Sequence, residues 1–465
     1  MRISDLLSLG RQYLFLGLVV LVILAAIFLL VYFKFLKGKK KVAVKKLLWW
    51  GVFICYLTVV LGVTLMDRGS FWQNGSIMPL FYSYKDAWIN FSLTAWRNII
   101  LNICMFIPLG FLLPLGLKFF RSFWKTYLAG FLLTLFIEGM QFSFHLGMFE
   151  LDDIMNNAIG AMIGYGLYAL VKKLRSENAK VSSPKLAALQ LPLLITLACF
   201  TIIFVSYEKQ ELGNVSGQYI TTYDPEKLSI ITELDFDQER SEAPVYQSKI
   251  LSKDESVSFA TEFFANLGSE IDESRNDFYE DTAVFYSKDV YNLWVNYQGG
   301  SYSFTDFETS FSEKPLAVKS DATEAELRSA LITYGIEVPE NAELTVDQET
   351  SRFTFQIGES EETNTLSMGS ISGTYYENER FADINYSVVT SEYYKDFPII
   401  SEQDAFEMIA DGKWNYYESG ELQVRILDCT LDYTQDSKGF YQPVYVFACE
   451  INGQETSITI AAIQN

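Results

Sequence analysis

Six long apolar stretches constrain this chain more than any other feature. They cover about residues 13–33, 47–66, 98–117, 124–144, 154–171 and 187–206. About 20 apolar residues in a helix cross the ~30 Å hydrocarbon core of a bilayer. Backbone polar groups in hydrocarbon must be satisfied within the segment, so each stretch reads as a helix. The first is too long for a secretory signal core and has no small-residue cleavage site, so it reads as an uncleaved span. The expectation for residues 1–206 is a polytopic α-helical membrane domain with six transmembrane helices.

The charge balance breaks near residue 206. Residues 1–206 hold 20 Lys+Arg and 8 Asp+Glu, whereas residues 207–465 hold 16 and 49, so +12 is followed by −33, which together make the net −21. The second part therefore reads as a separate acidic, water-facing domain. Its charge would repel phosphates and argues against a nucleic-acid partner.

Basic residues in the loops set the orientation. Lys34, Lys37, Lys39, Lys40, Lys41, Lys45 and Lys46 lie between the first two spans; Lys118, Arg121 and Lys125 between the third and fourth; Lys172, Lys173, Arg175, Lys180 and Lys185 between the fifth and sixth. Positively charged loops remain cytoplasmic. All three clusters agree on an external N-terminus, six crossings and an extracytoplasmic 207–465, outweighing Arg2 and Arg11. Localisation follows as a multi-pass protein of the cell membrane. The lysine run Lys37–Lys46 could also attract anionic headgroups.

With that topology the polar residues inside the spans meet at one depth. Arg97, Asn98 and Asn102 open the third span, Glu138 and Gln141 sit in the outer turns of the fourth, and Asp152, Asp153 and Asn157 open the fifth. At 1.5 Å per residue Glu138 lies roughly 9 Å inside the outer boundary. Ionisable groups at membrane depth cost roughly 2.5–3.5 kcal/mol each on insertion scales, which marks this level as a candidate site. Asn98 and Asn102 share a helix face. Pro108 kinks the third span and Gly110 permits close approach. Asp153, Asn157, Gly160 and Gly164 form one stripe, polar at the outer end and small further in.

The segments Ile77-Met78-Pro79-Leu80, Arg97-Asn98…Asn102…Phe106-Ile107-Pro108-Leu109-Gly110-Phe111, Glu138…Gln141 and Phe149-Glu150-Leu151-Asp152-Asp153…Asn157…Gly160…Gly164-Tyr165 resemble the VanZ family over about residues 50–172. The sequence departs from it at Gly147, about where the family often has an arginine. The resemblance implies a multi-pass protein of mostly Gram-positive envelopes, linked to resistance against glycopeptides such as teicoplanin. It implies no settled reaction.

Structural roles compete with functional ones. Asn102, Gln141 and Asn157 could be interhelical glue. Asp152 and Asp153 could cap a helix. Glu138 could simply pair with Arg97. The single histidine, His145, reads as a solvated interface residue, and with three of five cysteines inside spans the chain argues against a His/Cys zinc site. No cofactor is expected; a divalent cation at Glu138, Asp152 and Asp153 remains open. The chain has no Ser-His-Asp set beyond that histidine and no phosphate-cradling glycine loop.

Residues 207–465 read as α+β with antiparallel sheets, possibly in two or three helix-plus-strand units. Helical patterns occupy 254–267, 322–334 and 401–411, the last with a capping start at Ser401. Strand patterns occupy 282–286, 291–297, 352–357, 382–390, 421–433 and 442–451. The last unit, about 397–463, resembles the PepSY-like modules of extracytoplasmic regulators such as YycI, through Ile400-Ser401-Glu402…Ala405-Phe406…Gly412, Leu427…Leu431-Asp432-Tyr433 and Gln442-Pro443-Val444-Tyr445-Val446-Phe447. That resemblance implies binding rather than catalysis. Cys429 and Cys449 fall almost opposite each other if their strands pair, and an oxidising exterior would permit a disulfide; two buried thiols are the alternative.

Two functional readings follow. One is a binding or accessory protein whose outer polar pocket engages a membrane lipid, a lipid-linked wall precursor or a partner helix, while the outer domain senses or tethers an envelope protein or polymer. The other is an intramembrane hydrolase or transferase with Glu138 as general acid or base and Asp152 and Asp153 holding water or metal.

Overall fold

The computed structural model describes residues 14–19, 21–23, 25, 43–66, 77–175, 183–215, 222–279, 281–311, 316–347, 350–362, 364–414 and 420–463. The chain divides into two compact units, Met1–Glu211 and Leu212–Asn465.

The first unit is helical. A short apolar helix, α1 (Leu14–Ile23), is described in part. It is followed by α2 (Val44–Leu61), which runs on as a π-helical turn over Gly62–Met66. A two-residue strand, β1 (Ile77–Met78), leads into α3 (Tyr82–Ile89) and α4 (Leu93–Gly116). Then come α5 (Phe123–Ser143), β2 (Phe149–Glu150), α6 (Leu151–Arg175) and α7 (Ser183–Lys209).

Among the described residues, four helical segments are long and apolar enough to cross a membrane: Val44–Met66, Leu93–Gly116, Leu151–Arg175 and Pro184–Lys209. The expected count of six is not reached by that measure. The 21-residue α5 has the length of a span but carries Lys125, Glu138 and Gln141. The first expected span and Lys34–Lys41 lie largely outside the described residues.

Hydrocarbon gives helices no hydrophobic reason to associate, so close packing must come from small side chains. The α4–α6 pair is built this way. A Cβ placed on Gly160 would overlap the Ile103 carbonyl oxygen; one on Gly164 would overlap that of Ile107; one on Gly110 would overlap that of Ala161. Pro108 and Pro114 both lie inside α4. On the far side of α6, Gln190 of α7 donates to the Gly166 carbonyl at 3.0 Å.

The second unit is an antiparallel-rich sheet domain. Its strands are β3 (Leu228–Ile231), β4 (Glu242–Ser248), β5 (Asp277–Phe278), β6 (Thr282–Tyr286), β7 (Tyr291–Asn296), β8 (Tyr302–Asp306), β9 (Glu343–Val346), β10 (Phe353–Glu362), β11 (Thr365–Tyr375), β12 (Phe381–Tyr386), β13 (Val389–Pro398), β14 (Leu422–Gln435), β15 (Phe440–Ile451) and β16 (Gln454–Ala461). They join in one network ordered β3-β14-β15-β4-β13-β11-β12-β8-β7-β6-β5. Beside it, β16 pairs with β15, β10 with β11 and β9 with β10. Only β3 against β14 runs parallel in this network.

Among the described residues, four α-helices accompany the sheet: α8 (Lys253–Asn266), the one-turn α9 (Phe307–Ser310), α10 (Glu324–Ile332) and α11 (Glu402–Ala410). Three of them start at capping boxes, Ser252 with Glu255, Thr323 with Glu326 and Ser401 with Asp404. Two cores result. Phe263, Phe264, Leu327 and Leu331 of α8 and α10 pack on Phe285, Leu293, Phe304 and Phe355. Ala405 and Ile409 of α11 pack on Val424, Phe447 and Ile460.

Two expectations need correction. The run 382–390 is two strands, β12 stopping at Tyr386 and β13 starting at Val389, although both pair antiparallel with β11 in one continuous register. Cys429 and Cys449 are not almost opposite each other, and of the two states left open for them both are free thiols. The hairpin sets Cys429 opposite Phe447 and Cys449 opposite Ile426, with an irregularity between Ile426 and Asp428 that shifts the register.

Candidate functional site

The loops preceding α3 and α6 are tied together first. β1 and β2 pair in parallel, Ile77 with Phe149 and Met78 with Glu150. This brings the N-terminal ends of α3 and α6 side by side, where their unpaired amides and positive dipole ends attract carboxylates.

Asp152, fully buried, is the residue that answers α3. Its Oδ1 accepts from the Phe81 amide at 2.6 Å and its Oδ2 from the Ser83 amide at 2.8 Å. It therefore caps a helix other than its own. One turn later on the same face, buried Asn156 accepts from the Tyr84 hydroxyl at 2.6 Å through Oδ1. Glu150 accepts from the Ser83 hydroxyl at 3.1 Å.

The adjacent face of α6 looks toward α4 and α5. Asp153 accepts from Asn102 Nδ2 at 2.5 Å. Asn157 donates to the Thr134 hydroxyl at 2.9 Å. Gly160 and Gly164 continue this face against α4. Asp152 and Asp153 are thus neighbours in sequence with different tasks.

Glu138, 2% exposed, accepts from the Glu150 amide at 3.1 Å. Gln141, 1% exposed, donates to the Thr64 carbonyl at 2.9 Å, within the π-helical turn that ends α2. Turns of that kind break the regular ladder, and here a side chain from another helix takes up a carbonyl. Arg97 donates to Thr94 on its own helix at 3.1 Å rather than to Glu138, and Asn98 is exposed. His145 is exposed in the left-handed region, with φ 56°.

Polar groups from α3, α4, α5 and α6 therefore meet at one end of the bundle. Buried polar atoms normally find partners, so the exceptions matter. Gln141 Oε1, Asn157 Oδ1 and Asn156 Nδ2 are buried there without a hydrogen bond. Among the described residues no group of three or more His, Cys, Asp or Glu side chains is arranged to hold a metal ion.

Comparison with known proteins decides the family of this domain. Residues 53–172 match VanZ/LLP1. A curated relative, protein VanZ of Enterococcus faecium, is 33% identical over 78 residues. This segment belongs to the VanZ/LLP1 family. The VanZ-like match covers 17% of this chain and 48% of the relative, so the chain spans about half the relative's length. A crystal structure of an uncharacterized protein from Eubacterium rectale is similar over 50% of this chain and 87% of that one, at 13% identity and a TM-score of 0.24.

Within the VanZ-like domain, the structure brings together Asn102 with Asp153, the Glu138 carboxylate with the Glu150 amide, and the Ile77-Met78 and Phe149-Glu150 segments. It keeps Arg97 and Asn98 apart from Glu138. The sequence reading missed Asn156, Tyr84, Thr134 and Thr64. Asn156 was within reach, since it stands four residues after Asp152 and so shares its face. Thr134 and Thr64 carry no such signal, because only the rotation of α5 and the irregular end of α2 aim them inward.

Proposed function

We propose that this chain is a VanZ-like cell-envelope membrane protein that acts by binding and lowers susceptibility to teicoplanin-type glycopeptides. The polar end of its helical unit engages the polar head of an envelope amphiphile, such as a lipid-linked wall precursor. The observation that carries this is the gathering of polar side chains from four helices at one level, with buried amide atoms left without partners. Such atoms suit a ligand with hydrogen-bonding groups.

The topology in this proposal has six crossings, the N-terminus and residues 207–465 outside, and the polar end in the outer leaflet. Lys118, Arg121, Lys125, Lys172, Lys173 and Lys185 at the opposite helix ends support it. Residues 397–463, as a PepSY-like module, would contact wall components.

Binding is favoured over hydrolysis because the carboxylates are engaged structurally. Both Asp152 oxygens accept backbone amides. Asp153 holds Asn102. An enzyme using Glu138 as acid or base would need one of these to release its partner and hold water.

The test is teicoplanin susceptibility in a strain expressing the chain, compared with Glu138→Gln and Asp153→Asn at matched membrane levels. Protection by the unmutated chain and its loss in both variants are expected. Equal protection by all three would reduce these residues to helix packing. No protection from the unmutated chain would refute the resistance role.

A further inference from the structure

A second site lies at the opposite, basic end of the helical unit. α5 and α7 each pack on α6 but hardly touch one another. The gap between them is a cleft of about 590 Å³. Its floor is Ile159 and Met162 of α6, and its walls include Tyr127 of α5 and Ala188, Pro192 and Ile195 of α7. The volume falls in the range of small-molecule sites, roughly 300–1,000 Å³.

The cleft is apolar along its length and charged at one mouth. It extends along α7 from Lys185 to Thr196. At 1.5 Å per residue that is roughly 16 Å, about half the hydrocarbon thickness and so one leaflet deep. Lys185 Nζ stands at that mouth, 5.9 Å from the centroid of the Phe123 ring. Phe123 opens α5, whose N-cap Ser122 makes no side-chain cap. α7 also begins at this end, so two positive helix ends flank the lysine. Lys172 and Lys173 in the last turn of α6 add to the same field. No acidic residue occurs among the described residues of 117–125, 168–175 and 183–190.

We propose that this cleft holds one acyl chain of an anionic phospholipid, with the lipid phosphate at Lys185. A neutral protein segment would leave the lysine and helix ends unmatched. A zwitterionic lipid would offset the attraction with its own cation. Basic pockets between membrane helices capture anionic headgroups in this way. The Gln190–Gly166 bond anchors α7 to α6 beside the cleft. This site is independent of the polar end described above.

The test is native mass spectrometry of the full chain, purified in detergent, with phosphatidylglycerol and phosphatidylcholine of identical acyl chains. One phosphatidylglycerol is expected to be retained in preference to phosphatidylcholine. Lys185→Gln should weaken the preference by about fivefold, the effect of one lysine near a lipid surface. Ala188→Trp should abolish retention by filling the cleft, with helical circular dichroism unchanged. Equal retention of the two lipids would overturn the proposal, as would full retention in the tryptophan variant. If that variant misfolds, the lysine variant decides alone: an unchanged preference refutes the site.

Discussion

Replacing Gly160 by alanine tests the packing on which the candidate site depends. A Cβ at this position would overlap the Ile103 carbonyl oxygen and crowd the Phe106 Cβ. The carbonyl belongs to a helix backbone and cannot rotate away as a side chain would. To reach an ordinary C···O separation of ~3.3 Å, α4 and α6 must part locally by roughly 1 Å. Overpacking of this kind costs about 1–3 kcal/mol. The strain falls two turns from the Asn102–Asp153 bond and should loosen it. Gly139 on α5 supplies the control, because a Cβ there meets nothing within 4 Å. The assay is reversible unfolding in mixed micelles, with Gly139→Ala measured beside Gly160→Ala. Gly160→Ala should lose about 1–3 kcal/mol relative to the control. If the two alanine variants are equally stable, the α4–α6 contact is not as close as the structure has it.

Asp152→Ala removes a carboxylate from two amides and should cost about 1.5–3 kcal/mol, the range for hydrogen bonds to charged groups; proteolysis within residues 79–92 should accelerate, and an unchanged cleavage rate would contradict the cap. In the second unit, the backbone amides of Ser252 and Thr323 hold the Glu255 and Glu326 carboxyls down to about 2 from 4.5. Their folded-state pKa values are lowered, so the stabilisation is complete above about 4.5 and is lost as pH falls toward about 2. Hydrogen-exchange protection in α8, relative to the intrinsic rate at each pH, should therefore fall across that window in the native chain, and less so in Glu255→Gln; identical pH profiles would refute the assignment. Burial, with Glu402 and Asp428 nearby, pushes the Cys429 thiol up to about 12. Iodoacetamide at pH 8 should leave Cys429 and Cys449 unlabelled in the folded chain and label both after denaturation without reductant; absence of label in the denatured chain would reveal a disulfide.

Much of this protein was legible from period and charge. Long apolar runs specify helices because hydrocarbon allows the backbone no other partner. A Ser-x-x-acid start at Ser401 marked α11, since a cap is a local interaction written in four residues; the like starts at Ser252 and Thr323 were found only in the structure. Gly160 and Gly164, four apart, announced a close helix face. What only the tertiary structure decided was which partner each polar residue meets. Asp152 and Asp153 look alike in sequence, yet a 100° step around α6 sends one to the α3 amides and the other to Asn102. Arg97 could have paired with Glu138, but α4 turns it toward Thr94 instead. Cys429 and Cys449 seemed almost opposite, but the hairpin register sets Cys429 against Phe447 and Cys449 against Ile426. Spacing along a chain determines faces and ends; the rotation of each helix about its axis, and the register of each strand, are settled only by the packing of all of them together.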